Sequence, residues 1–257
     1  MATNLARDLA IALDPVRLMR SLGLEPDPWQ RDLLRSDAGR MLLLCSRQAG
    51  KTTAAAILGL HQALYKPPAL VLLASPALRQ AQELFRALVG FYGRLGDGAV
   101  PTEAESALRL ELTNGSRIVA LPGIEQTVRG YSGVSLVILD EAARIDDALY
   151  DALAPSLAVS HGRVILLSTP FGKRGVFHRL WTEGGPEWYR VKITAAECPR
   201  IPVAFLEEQR RIMPRWVFEQ EFQCVFHDDA LAAFAFADVE RALSAEVLPL
   251  FGIGGAA

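Results

Sequence analysis

The strongest constraint on this chain lies at residues 41–52, where the apolar run Met41-Leu42-Leu43-Leu44 leads into Cys45-Ser46-Arg47-Gln48-Ala49-Gly50-Lys51-Thr52. A strand that empties into a loop ending Gly-Lys-Thr is a phosphate-binding loop. Gly50 lets the backbone approach an anion with no Cβ in the way. The amides of the loop and of the following helix N-terminus point at phosphate oxygens. In such a loop Lys51 neutralises the β- and γ-phosphates of a nucleoside triphosphate, and the Thr52 hydroxyl ligates Mg2+. The usual pattern, G-x-x-x-x-G-K-[ST], fails at its first position, where Cys45 stands in place of glycine. Taken alone, the segment has a plainer alternative: a helix N-terminus with a surface lysine.

A second segment completes such a site. Leu136-Val137-Ile138-Leu139 is followed by Asp140-Glu141. Four apolar residues in a row suit a strand buried on both faces of a parallel sheet. Asp140 then falls at the carboxyl end of the strand, where open α/β sheets bind ligands, and can hold the hydration shell of Mg2+. Glu141 is placed to orient and deprotonate an attacking water. The plainer alternative is that both acids only cap a helix starting near Ala142. A third run, Val164-Ile165-Leu166-Leu167, ends in Ser168-Thr169-Pro170. The hydroxyls of Ser168 and Thr169 could sense a γ-phosphate, although the same residues also form simple turns.

The rest of the chain alternates strands and helices. Helices are expected over residues 1–22, 29–34, 52–65, 80–92, 176–181, 202–213 and 216–222. Buried strands are expected over 41–44, 69–74, 136–141 and 164–167, with another over 188–193. Leu108-Arg109-Leu110-Glu111-Leu112 alternates with period two, turns at Thr113-Asn114-Gly115-Ser116 and returns through 117–121. Asn-Gly between such runs marks a hairpin with one wet face, hence an antiparallel edge. Strand–helix alternation implies a mostly parallel α/β sheet sandwiched by helices.

Composition excludes several classes. The 257 residues, 51% hydrophobic and 22% charged, suffice for one full α/β core. No apolar run is long enough to span a membrane. Cys45, Cys198 and Cys224 show neither metal-ligand spacing nor a disulfide framework, and His61, His161, His178 and His227 are scattered. The formal net charge of −2 lacks the basic excess of a static nucleic-acid binder, so any DNA contact must be local, transient or shared among subunits.

Together these residues resemble the ATPase domain of large terminase subunits, the motors that package DNA into phage capsids. Trp29-Gln30 resembles the adenine-reading glutamine of terminases and helicases. The loop Ser46-Arg47-Gln48-Ala49-Gly50-Lys51-Thr52 is similar to the terminase form, which carries an early basic residue and tolerates loss of the first glycine. Arg129-Gly130 precedes Leu139-Asp140-Glu141-Ala142-Ala143 as in that family. Leu167-Ser168-Thr169-Pro170-Phe171-Gly172 resembles its coupling motif, and Phe218-Glu219-Gln220-Glu221-Phe222 with Phe226 resembles the stretch that closes the domain.

The resemblance spans residues 25–228 and implies a P-loop NTPase of the ASCE/RecA-like type. Residues 1–24 would be an N-terminal helical segment and residues 229–257 a linker or lid. It implies ATP and Mg2+ as ligands, with Gln30 and residues 46–53 (Thr53 included) on the nucleotide and Thr52 and Asp140 on the metal. Glu141, Lys51, Arg129 and Arg47 would be catalytic. Either Arg129, reaching a neighbour's ATP, or Arg47 would be the arginine finger. The implied partners are double-stranded DNA, further copies of the chain in a ring, a portal and a small terminase subunit, in the cytoplasm of a bacterial host. Candidate DNA contacts are Arg79, Arg86, Lys173 and Arg174, then Arg210, Arg211 and Arg215, for each of which a solvated helix face is the plainer alternative. Full-length large subunits continue into a nuclease domain. Nothing after Phe226 could house one, so nuclease activity is not expected, and the chain is expected to be an isolated domain, a split gene or a prophage remnant. A helicase-like ATPase is one alternative, but it needs a second RecA-like domain. A non-catalytic nucleotide-binding remnant is the other, and the presence of Lys51, Thr52, Asp140 and Glu141 argues against it.

Overall fold

The computed structural model describes residues 2–96 and 99–228; the expected linker or lid over residues 229–257 lies outside them. Ten α-helices and eight strands are described, and all eight strands form one sheet in the order β3-β4-β5-β2-β6-β7-β1-β8. The expected helix over residues 1–22 is two helices, α1 (Ala2–Leu13) and α2 (Pro15–Ser21). Asp14 precedes a proline, which disfavours helical backbone at that residue. It turns to φ −142°, ψ 103° and caps α2 by accepting from the Val16 amide at 3.1 Å. Helix α3 (Pro28–Arg35) then leads to β1 (Arg40–Cys45), and α4 (Lys51–Tyr65) follows the loop.

Five neighbouring pairs among β5 (Arg117–Pro122), β2 (Leu70–Ser75), β6 (Leu136–Asp140), β7 (Arg163–Ser168), β1 and β8 (Tyr189–Ile193) are parallel. The central strands are buried on both faces. Met41, Leu43 and Ile138 join the cluster containing α4 and α5 (Leu78–Gly93), whereas Leu42, Leu44, Val137 and Leu139 join the one containing α7 (Asp147–Ser160) and α8 (Gly175–Glu183). This two-sided burial is why those strands read as continuous apolar runs. Helix α2 contributes Val16, Leu18 and Met19 to the first cluster, so the N-terminal helices share the core of the sheet.

At one edge, β4 (Arg109–Leu112) and β5 form the expected hairpin, closed by Asn114 and by Gly115 at φ 82°. Beyond them lies an antiparallel strand absent from the sequence expectations, β3 (Thr102–Glu105), exposed at every residue. Its Glu103 and Glu105 discourage further edge pairing. At the other edge the chain passes through α9 (Val203–Ile212) and α10 (Arg215–Gln223). Phe218 and Phe222 pack on Ala195, and Phe226 returns to Phe177 and His178 with ring centroids 6.4 and 4.8 Å away.

Register brings distant segments together. Leu44 pairs with Ser168, and Leu167 pairs with Asp140. The carboxyl ends of β1, β7 and β6 therefore lie side by side, with β7 inserted between the strand before the loop and the strand bearing the acids.

Candidate active site

The loop after β1 explains its own departure from pattern. Cys45 is the last residue of β1, fully buried and paired with Ile193, and the Ser46 amide donates to the Ile193 carbonyl at 2.8 Å. That position is extended strand and asks for no glycine. The bends come later, at Gln48 (φ 58°) and Gly50 (φ 89°). At Gly50 the left-handed φ strains any other residue, and a Cβ there would also push on Arg200 Nη2 at 2.6 Å and Gln30 Nε2 at 2.8 Å.

The loop is braced from outside by three residues. Gln30 is fully buried; its Oε1 accepts from the Asp27 amide at 2.9 Å and its Nε2 donates to the Gly50 carbonyl at 3.1 Å. Arg200 donates from Nη2 to Asp27 Oδ2 and to the Ala49 carbonyl, both at 2.7 Å. The resemblance gives Gln30 to an adenine; here both ends of its amide are engaged by the protein. Asp27 and Arg200 were not singled out from the sequence, since 173 residues separate them.

Lys51 opens α4, is 8% exposed, and donates to Glu141 Oε1 at 3.1 Å. Glu141 Oε2 accepts from Arg144 Nη1 at 2.9 Å and lies 3.4 Å from Thr169 Oγ1, to which the same Arg144 nitrogen donates at 3.1 Å. Phosphate loop, acidic strand and hydroxyl strand thus meet on one carboxylate. Glu141 sits at φ 52°, ψ 41° before a 3-10 turn, Ala142–Arg144, and its side chain caps nothing; Asp146 caps α7 instead. The plainer alternative for the acids, helix capping, therefore fails for Glu141. Asp140 Oδ1 accepts from the Glu141 amide at 3.0 Å. Burial pushes the Asp140 carboxyl up to about 6, against a downward pull from Lys51. Ser168, fully buried, accepts from the Ala143 amide at 3.2 Å and so fixes the turn after Glu141. Thr52 and Thr53 stand half-buried in the first turn of α4, and Ser46 and Ala49 are buried in the loop.

Other candidates lie elsewhere. Arg47, 71% exposed, faces α10 through an ion pair with Glu221 at 3.6 Å, while its amide donates to the Glu221 carbonyl. Arg129 is exposed after α6 (Glu125–Val128) and pairs with Glu125. Among the DNA candidates, Arg79 is exposed on α5, Arg86 pairs with Glu83, Lys173 with Asp228 and Arg215 with Glu219; Arg174 lies over the Phe171 ring. Cys45, Cys198 and Cys224 are buried free thiols, and burial raises the pKa of each.

The family model described as terminase large subunit, T4likevirus-type, N-terminal matches residues 42–241. The chain belongs to the terminase large subunit family. The large terminase subunit of Thermus phage G20c is 30% identical over 169 residues, 59% of this chain and 35% of its own length. That of Escherichia phage T5 is 28% identical over 197 residues, 73% of this chain and 44% of its own length. The match thus spans less than half the length of these relatives. Its fold matches the large terminase ATPase domain of Thermus phage P74-26 with a TM-score of 0.73 at 23% identity, covering 81% of this chain and 97% of that one. It also matches the large terminase of a thermophilic bacteriophage, solved in complex with ADP, at a TM-score of 0.61 and 13% identity over 81% of this chain and 52% of that one. The expected P-loop fold is thereby shown, and with it the terminase kinship.

Proposed function

We propose that this terminase domain hydrolyses ATP and drives double-stranded DNA into a viral procapsid, working as a ring of like subunits with portal and small-subunit partners in the bacterial host cytoplasm. The observation that carries this is the 3.1 Å contact of Lys51 with Glu141 across the strand ends. It brings the Lys51 ammonium and the Glu141 carboxylate within one substrate's reach, which supports their reading as phosphate grip and proton acceptor. Among the described residues no helix is long and apolar enough to cross a membrane.

The step follows from the side chains. Lys51 exchanges Glu141 for the β- and γ-phosphates, with the loop amides of residues 48–52 around them. This frees Glu141 Oε1 to accept a proton. The oxygen of a water bonds to the γ-phosphorus as the bond to the β–γ bridging oxygen breaks. The bonding pair leaves on ADP, and the proton of the water passes to Glu141. Positioning and electrostatics provide nearly all the acceleration in such a transfer. Asp140 and Thr52 would hold Mg2+, which when bound draws charge from the phosphate oxygens. One carboxylate and one hydroxyl suit an ion whose shell is otherwise filled by phosphates and water. A carboxylate buried enough to be lifted to about 6 is one that a cation would stabilise.

The test is steady-state hydrolysis of Mg-ATP with fluorescent nucleotide binding in parallel. Lys51→Ala is expected to abolish turnover, and Glu141→Ala to keep nucleotide binding while stopping hydrolysis. Wild-type turnover by Glu141→Ala would remove that residue from the chemistry.

A further inference from the structure

Arg144 plays no part in the step above, yet it contacts Glu141, Thr169 and Phe171. Resting on the assignment of Glu141 as the base, we propose that Arg144 is a positioning residue that aims the Glu141 carboxylate and links its direction to the loop after β7.

The two carboxylate oxygens have different holders. Oε1 is on Lys51, at 3.1 Å, and Oε2 is on Arg144, at 2.9 Å. When phosphates take Lys51, only Oε1 loses its partner. Arg144 keeps Oε2, with Thr169 Oγ1 3.4 Å away as a second neighbour. The carboxylate is therefore left held by one edge, its free oxygen directed where the Lys51 ammonium had been. Without Arg144 the carboxylate would keep only Thr169 Oγ1, 3.4 Å away, and could swing about its side-chain torsions even though the turn beneath it is held by Ser168.

Arg144 is itself held from behind. Its guanidinium carbon lies 4.4 Å from the centroid of the Phe171 ring, and Nη1 donates to Thr169 at 3.1 Å. A guanidinium can lie over an aromatic ring and still donate sideways, a combination that a lysine ammonium does not reproduce. Phe171 also carries Arg174, 5.1 Å from its centroid, and Lys173 stands between them in sequence. A displacement of that basic loop moves Phe171 and Thr169, and through Arg144 turns the carboxylate.

The experiment compares Arg144→Ala, Arg144→Lys and Phe171→Leu with the full chain, measuring kcat and KM for Mg-ATP, fluorescent ADP binding and the thermal midpoint. Positioning predicts that Arg144→Ala loses about 10- to 100-fold in kcat, on the scale of general-base contributions, with KM and ADP affinity nearly unchanged. Arg144→Lys should recover less than half of that loss, and millimolar ethylguanidinium should raise the rate of Arg144→Ala while leaving the parent unaffected. Phe171→Leu, which removes only the stack, should lower kcat several-fold at constant KM. An unchanged kcat in Arg144→Ala, a raised KM alone, or full recovery by lysine overturns the proposal. Should Arg144→Ala fail to fold, Phe171→Leu decides, and an unchanged kcat there overturns it. A Glu141→Gln variant run alongside separates the two claims: if it turns over normally the base assignment is wrong, whereas if it is dead and Arg144→Ala is normal only the positioning role falls.

Discussion

At the scale of single residues, Asp140 is where the proposed chemistry and the stability of the fold pull apart. Burial lifts its carboxyl from 3.8 to about 6, a penalty of roughly 3 kcal/mol on the ionised form. Asparagine would keep the acceptor that takes the Glu141 amide at 3.0 Å, and Lys51 would keep Glu141. Without Mg2+ or nucleotide, Asp140→Asn is therefore expected to melt higher than the parent at about pH 8, by an amount worth about 1–3 kcal/mol, while losing hydrolysis. The sign fixes the window. The folded-state pKa is raised, so the penalty grows as pH rises from 3.8 toward about 6 and is full above that. The gain should fade through the acid range and be gone only well below pH 3.8 in a series of thermal melts. A variant less stable than the parent at about pH 8 would show that Lys51 gains more from Asp140 than burial costs. Lys51, Asp140 and Glu141 were legible in the sequence because each sits at a fixed offset from an apolar strand. Arg144 had a weaker signal, three residues past Glu141 on a turn, and Arg200 had none, because its partners Asp27 and Ala49 reach it only through the folded sheet.

At the scale of elements, the legible parts are those whose side chains divide between core and solvent. The β4–β5 hairpin alternates Leu110 and Leu112 inward with Arg109 outward, and its Asn114-Gly115 turn is a local instruction. Strand β3 has no such division: Thr102-Glu103-Ala104-Glu105 is exposed throughout, and only pairing with β4 makes it a strand. The break between α1 and α2 was written locally in Asp14-Pro15 but masked, since Ile11, Val16, Leu18 and Met19 continue the apolar content across it. Asp14 joins three elements by capping α2 and pairing with Arg35 of α3 at 2.7 Å. Asp14→Ala should cost about 1 kcal/mol, chiefly the cap, because the exposed ion pair adds little. The Arg35 guanidinium holds the Asp14 carboxyl below its ordinary 3.8. A depressed folded-state pKa contributes stability that is present above the unfolded value and is lost as pH falls through the folded one. Urea unfolding should separate the two proteins at about pH 7 and bring them together as pH falls through the depressed Asp14 value; a gap that persisted in acid would assign the cost to packing instead.

At the scale of the whole molecule, what the sequence could not disclose is adjacency. It marks the strands but not that β7 lies between β1 and β6, which is what sets Thr169 beside Glu141. Nor does it orient the two candidate arginine fingers. In the fold Arg47 leans on Glu221 of α10, beside its own loop, while Arg129 stands exposed after α6 and pairs at short range with Glu125. An exposed pair within one helical turn is weak enough to be exchanged at an interface, and this favours Arg129 as the residue that serves a neighbour. If it does, no single subunit holds a complete site, and two inactive variants can repair each other. Lys51→Ala lacks the phosphate grip but retains Arg129; Arg129→Ala lacks the finger but retains Lys51. Mixed at a concentration where the parent shows its full specific activity, the pair should recover a substantial fraction of parental hydrolysis, because some interfaces unite an intact loop with an intact finger. Removal of a trans finger is expected to cost about 10³-fold or more, so even a few per cent recovery stands clear of either variant alone. Specific activity of the parent should also climb with protein concentration until subunits associate. A mixture no more active than its components, together with a flat concentration profile, would place the finger within the subunit and return the role to Arg47.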